Sequence, residues 1–153
     1  MRLFFVVVLL LALLGLQPAQ ADNALGVVVG DPTGISGRFG VSSSNSFEMA
    51  LAYSSSHYEG LHIHGTYLWD NARNFRTTAS PLEMYYGLGV RLITINKGER
   101  DGSTAVGPRA PLGLLYKINN PNLEFFGEVS ATVDITPKTD VDLDIGIGVR
   151  VRF

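Results

Sequence analysis

The chain of 153 residues contains no cysteine. No disulfide framework can form, and no lipid can be attached to an N-terminal cysteine. A secreted chain without cysteine suits a bacterial envelope better than an animal extracellular fluid. A strong charge of either sign is missing too. With Arg2 set aside, 11 of the 12 basic residues remain against 14 acidic ones, which argues against a nucleic-acid partner. Beyond residue 21 there is no helical period of useful length, no low-complexity tail and no sign of a second domain.

What the chain does have begins with a targeting segment. Arg2 precedes an apolar run from Leu3 to Leu16, interrupted only by Gly15, and Ala19-Gln20-Ala21 has the small-x-small form of a cleavage site. Residues 1–21 thus read as a secretory signal peptide, removed on export. As a membrane helix the run is too short, because a span needs about 20 apolar residues. The expected mature domain is residues 22–153.

Within that domain the dominant pattern is strict alternation. The last stretch, VDLDIGIGVRVRF (141–153), is apolar at every odd position and charged or glycine at every even one. Seven earlier rows repeat the period of two: Leu25 to Val29, Ile35 to Val41, Phe47 to Tyr53, Leu61 to Trp69, Leu82 to Leu92, Ala110 to Ile118 and Leu123 to Val133. Polar, Gly- and Pro-containing turns separate them, the longest connection being Asp70 to Pro81. Eight strands joined this way predict an all-β, antiparallel up-and-down meander. The first strand is short.

Alternation alone says only that the two faces of a sheet meet different media. A soluble lipocalin-like periplasmic barrel, with the apolar face inward, is the alternative. The other face carries Arg38, Glu48, His62, His64, Glu83, Arg91, Arg109, Lys117, Glu124, Glu128, Asp134, Asp142, Asp144, Arg150 and Arg152. Such a mixture of signs suits the packed polar lumen of a small transmembrane barrel, in which opposite charges pair. On the apolar face, Phe39, Phe47, Tyr53, Trp69, Tyr116, Phe125 and Phe153 lie near strand ends, as in the aromatic girdles at membrane interfaces. Most rows also match the roughly 9–11 residues of a tilted membrane strand. Slipping the last strand by one residue would turn Arg150 and Arg152 toward lipid, where an arginine costs roughly 2–4 kcal/mol at midplane. A barrel in lipid must also close, so the last strand is expected to pair with the first.

Six blocks carry a likeness: GDPTGISGRF (30–39), LHIHGTYLW (61–69), YYGLGVRL (85–92), PRAPLGLLY (108–116), FGEVSATVDITP (126–137) and GIGVRVRF (146–153). In this order they resemble the small OmpA/OmpX-like eight-stranded outer-membrane β-barrel proteins. The resemblance implies a bacterial outer-membrane location and no settled activity. Gly148, Val149, Val151 and Phe153 resemble the C-terminal signal read by the barrel-assembly machinery.

The candidate functional residues are weighed against plainer roles. The lumen charges Arg38, Glu48, Glu83, Arg91, Arg109, Glu124, Glu128, Asp142, Asp144, Arg150 and Arg152 are expected to form a structural network, because eight strands enclose just enough room for side chains. His62 and His64, two apart on one strand, point the same way, but a lone HxH lacks further ligands, so no metal and no cofactor are expected. Some outer-membrane barrels modify lipid A through a histidine–serine pair on the lipid-facing wall. Here the histidines face inward and no serine is suitably spaced, so catalysis is not expected. Lys97, Glu99, Arg100 and Asp101 form the best candidate loop for an extracellular partner. Pro108 and Pro111 are the awkward residues. Pro108 is expected at the outer rim and a bulge near Pro111. The reading is of a monomer held in outer-membrane lipid, with a structural or surface-interaction role.

Overall fold

The structure, a computed structural model, describes residues 23–55, 58–70, 82–96 and 102–153. The expected signal peptide, the connection at 71–81 and the candidate partner loop Lys97, Glu99, Arg100 and Asp101 lie outside these residues. Eight strands follow in chain order: β1 Ala24–Asp31, β2 Thr33–Ser42, β3 Asn45–Ser54, β4 Gly60–Asp70, β5 Leu82–Thr94, β6 Thr104–Asn119, β7 Asn122–Asp134 and β8 Asp140–Arg152. Each pairs antiparallel with its neighbours, and β8 closes on β1, giving an all-β, eight-stranded up-and-down barrel. Closure leaves no strand edge unpaired. No helix among the described residues is long and apolar enough to cross a membrane, which says nothing of strands.

Both chain ends of the barrel meet at one rim, where the Phe153 N–H donates to the Asn23 carbonyl at 2.8 Å. The turns Ser42–Asn45 and Asn119–Asn122 also lie at this terminal end. The opposite end, the mouth, carries the β1–β2, β3–β4, β5–β6 and β7–β8 connections. At the first of these, Gly30 has φ of +145°, a conformation that a side chain disfavours.

Strand parity places the two faces as the alternation predicts. Leu143, Ile145, Ile147 and Val151 of β8 are exposed, while Asp144 and Arg150 between them are buried. The same inversion holds round the wall, from Met49 and Leu51 outside Glu48 and Ala50 to Leu88 and Val90 outside Arg91. The lumen is not wholly ionic, however. Val28, Leu68, Tyr85, Leu115 and Phe126 form an apolar cluster within it, and Tyr58, Ile93, Ile95 and Ala105 form a second.

Three local expectations need correction. Strand β6 starts at Thr104, so Pro108 lies within it rather than at the rim. No bulge forms at Pro111, since its pairing with Ser130 continues in register. Alternate residues direct their N–H groups to opposite neighbours, so the two prolines, at opposite parity, spoil different ladders. Opposite Pro111 and Ala110 the β5 ladder lapses between Tyr86↔Leu112 and Gly89↔Arg109, with no shift. Past Pro108 the β7 side stops at Arg109↔Thr132 and resumes at Val106↔Thr136 with one extra residue, and there the bulge sits.

The outer aromatics also differ from a girdle at each interface. Phe39, Phe47, Trp69, Tyr116, Phe125 and Phe153 all gather toward the terminal end, joined by Tyr67 and Tyr86, and Tyr53 is on the mouth side. Trp69 stacks on Tyr86 at 5.8 Å and meets Tyr67 edge-on at 5.2 Å. The rings of Phe39 and Phe47 lie over the outward glycines Gly37 and Gly65, covering bare backbone that would otherwise be left in the wall.

Candidate functional site

Strands β2 to β8 direct polar side chains into the lumen from inward positions, and these sort into three tiers along the axis. The terminal tier is built on two guanidiniums. Arg150 of β8 donates to Glu48 at 2.5 Å, to Glu124 at 3.0 Å and to the Ser36 hydroxyl at 2.6 and 3.1 Å. Its guanidinium also lies 3.7 Å from the centroid of the Phe126 ring, a cation–π contact in a dry setting. Arg38 pairs with Asp70 at 2.6 Å and reaches Glu124 at 3.6 Å. Arg150 and Glu124 are completely buried, so these pairs are screened very little.

The middle tier is Arg109, which pairs closely with Glu128 and donates to the Thr66 hydroxyl at 3.3 Å. The Tyr85 hydroxyl donates to the other Glu128 oxygen at 2.7 Å. The mouth tier centres on Arg91. Its Nη2 serves Asp134 at 2.8 and 3.0 Å, and its Nη1 serves Asp142 at 2.6 Å and Asp144 at 3.4 and 3.5 Å. Tyr58, from the β3–β4 connection, folds over this tier and donates to Asp134 at 2.9 Å. Burial and that hydrogen bond hold the phenol above its ordinary pKa, so it stays a neutral donor. At the mouth rim the Ser54 hydroxyl and the Ser55 N–H both donate to Asp31.

The sequence-predicted network residues Arg38, Glu48, Arg91, Arg109, Glu124, Glu128, Asp142, Asp144 and Arg150 all meet partners of opposite charge inside the barrel. Glu83 pairs with Lys117 at 3.3 Å nearer the terminal rim. Arg152 stands at that rim as well, donating to the Ile118 carbonyl at 2.9 Å and to Asn119 at 2.6 Å. Asp70, Asp134, Tyr58 and Tyr85 take part in the tiers although the network reading left them out. Asp134 had a signal in its inward parity. Tyr58 had none, being an aromatic in an otherwise polar loop.

His62 and His64 face inward from β4 and bond to each other at 3.1 Å, and His64 Nε2 meets Glu48 at 3.3 Å. If Glu48 accepts from His64, then His64 accepts from His62, whose Nδ1 is left buried without a partner. The pair extends the terminal tier. Among the described residues no three His, Asp or Glu side chains converge as a ready-made metal cage. Of the proposed assembly residues, Val149 and Val151 sit on the outer wall of β8, and Phe153, just past its end, is exposed. Gly148 faces inward and has a packing reason of its own, since a Cβ there would strike the Phe126 ring. A cavity of about 20 Å³ remains between the middle tier and the mouth, bordered by Glu48, His64, Arg109, Glu128, Ser130 and Asp144. That is space for about one water molecule.

The comparisons with known proteins agree with this architecture. The N-terminal β-barrel domain of Pseudomonas aeruginosa OprF superposes with a TM-score of 0.60 at 17% identity, covering 87% of this chain and 96% of that one. Neisserial surface protein A superposes with a TM-score of 0.50 at 20% identity, covering 87% and 94% respectively. At such identities the likeness is one of fold, a closed β-barrel. The chain matches no family model and no curated protein sequence.

Proposed function

We propose that this chain is a bacterial outer-membrane β-barrel protein, exported through a cleaved signal peptide, with a structural or surface-interaction role and no catalysis. One observation carries the reading: most of the large aliphatic residues of the eight strands are on the outside of a closed wall, and the ion pairs are inside it. In water such a surface would be an aggregation hazard, since soluble monomers rarely expose apolar patches larger than a few hundred Å². In hydrocarbon it is the favoured arrangement. A soluble ligand-carrying barrel requires the opposite polarity and a wide cavity, and neither fits this lumen.

The chemistry of the site supports a structural role for the charges. The guanidiniums of Arg38, Arg91, Arg109 and Arg150 are each tied to carboxylates on other strands, cross-linking the wall through its interior. In this reading the barrel is a monomer that contacts outer-membrane lipids, meets the barrel-assembly machinery during insertion through Val149, Val151 and Phe153, and needs no cofactor or nucleic acid. The mouth faces the cell exterior, and Lys97, Glu99, Arg100 and Asp101 offer the contact for an extracellular protein. Cell fractionation followed by heated and unheated gel lanes tests the class. The expected result is a band in the outer-membrane fraction that migrates faster unheated. Recovery in the periplasmic extract would overturn it. Shortening the loop around residues 97–101 would abolish partner binding and leave that band shift intact.

A further inference from the structure

Among the described residues the mouth tier is short of positive charge. Asp134, Asp142 and Asp144 surround the single guanidinium of Arg91. Asp134 is well served by Nη2 and by the Tyr58 hydroxyl. Asp142 is bound through one oxygen, and Asp144 has only the two long contacts at 3.4 and 3.5 Å. The next guanidinium down the lumen, Arg109, is already engaged by Glu128. Among the described residues two carboxylates therefore exceed the local cations, and Asp144 is the least satisfied. Buried negative charge of this kind requires a counter-charge or a bound proton.

Beside these acids are two hydroxyls with nothing to do. Ser130 and Thr132 of β7 stand directly opposite Asp144 and Asp142 of β8 in the ladder. They are 2% and 0% exposed, and Ser130 Oγ and Thr132 Oγ1 have no hydrogen-bond partner. Directly opposed residues have Cβ atoms roughly 4.5–5.5 Å apart, so one ion can be shared between each hydroxyl and the acid facing it. Ser130 and Asp144 also border the cavity, which can supply water as a further ligand.

We infer that Asp142, Asp144, Ser130 and Thr132 form a binding site for one hard divalent cation, with calcium as the fitting ion. The donors are all oxygen, and calcium accepts about 6–8 oxygens, water among them. One divalent ion cancels the two excess charges. It takes Asp144 from the weak Arg91 contact and leaves the Arg91–Asp134 pair intact. The site differs from a cage of three acidic ligands, because hydroxyls and water complete it.

The test uses the purified chain, stripped with chelator, in a zwitterionic detergent and titrated with calcium chloride by calorimetry. Thermal unfolding is followed in parallel. One calcium per chain and a calcium-dependent rise in Tm are expected. Asp144→Asn should remove both responses while raising the Tm of the calcium-free chain, since it removes an uncompensated charge. Should that variant fail to fold, Ser130→Ala combined with Thr132→Ala supplies the second reading, a loss of about tenfold or more in calcium affinity. Asp70→Asn, in the terminal tier, should leave the calcium response unchanged. Absence of stoichiometric binding to the wild-type chain, or binding that survives Asp144→Asn, would overturn the inference and assign the balance to protons.

Discussion

Replacing Arg150 with methionine probes the lumen network where it is most tightly drawn. The substitution keeps an apolar stem of similar length against Phe126 but withdraws the hydrogen bonds to Glu48, Glu124 and Ser36. Glu48 would retain His64 at 3.3 Å, and Glu124 only Arg38 at 3.6 Å. Removing one partner from a buried ion pair costs about 3–5 kcal/mol, mostly through the charge left behind. The lost cation–π contact is worth up to about 2 kcal/mol within that total. The Lys117–Glu83 pair is more exposed, and breaking it by Lys117→Met should cost about 1 kcal/mol or less. The assay is urea unfolding in phospholipid vesicles, read by the band shift and by the fluorescence of Trp69, the only tryptophan. Adding Glu48→Gln to Arg150→Met should restore more than about 1 kcal/mol, because a neutral amide needs no counter-ion. If Arg150→Met unfolds within about 1 kcal/mol of the wild type, or the two changes simply add, the tiers are ornamental and the reasoning fails.

Other outcomes follow from the same geometry. Ile147→Arg, on the outer wall near the middle of β8, should cost roughly 2–4 kcal/mol in vesicle unfolding, whereas a change of that size is not expected for Val41→Arg at the strand end. Gly148→Ala drives a methyl group into the Phe126 ring and should cost about 1–3 kcal/mol, and Phe126→Leu in the same chain should recover part of it. Phe153→Ala should lower the amount of folded barrel recovered from cells while leaving refolding of the purified chain in detergent unaffected, as quantitative gels of both would report.

The strands were legible because period two survives every local irregularity, and because charge on one face and aliphatics on the other leave a single register. Strand β8 is the clearest case: each of its odd residues from Val141 to Val151 faces out as its pattern demands. Strand β6 starts six residues before the alternating row at Ala110, at Thr104. Its prolines look like breakers, yet each removes only one donor, and the two fall on different ladders. Tyr85 and Phe126 face inward as halves of the doublets Tyr85-Tyr86 and Phe125-Phe126, where apolar character on both faces hides the parity. The tiers themselves were beyond reach, since Arg150 meets Ser36 over Gly26 of the intervening β1, from a strand 114 residues away in the chain. The sequence places both on the inner face and is silent on their separation. For the same reason Tyr58 was missed: only its contact with Asp134, 76 residues away, reveals its place in the mouth.

The most direct test asks which medium touches the wall. The chain has no native cysteine, so single cysteines at Leu143, Ile145, Val149 and Asp144 can each carry one spin label in lipid vesicles. The account predicts that labels at the first three are relaxed by oxygen dissolved in the bilayer and shielded from a water-soluble nickel chelate, and that the label at Asp144 is shielded from bilayer oxygen. Chelate accessibility at Leu143, Ile145 and Val149, with oxygen contact at Asp144, would contradict it.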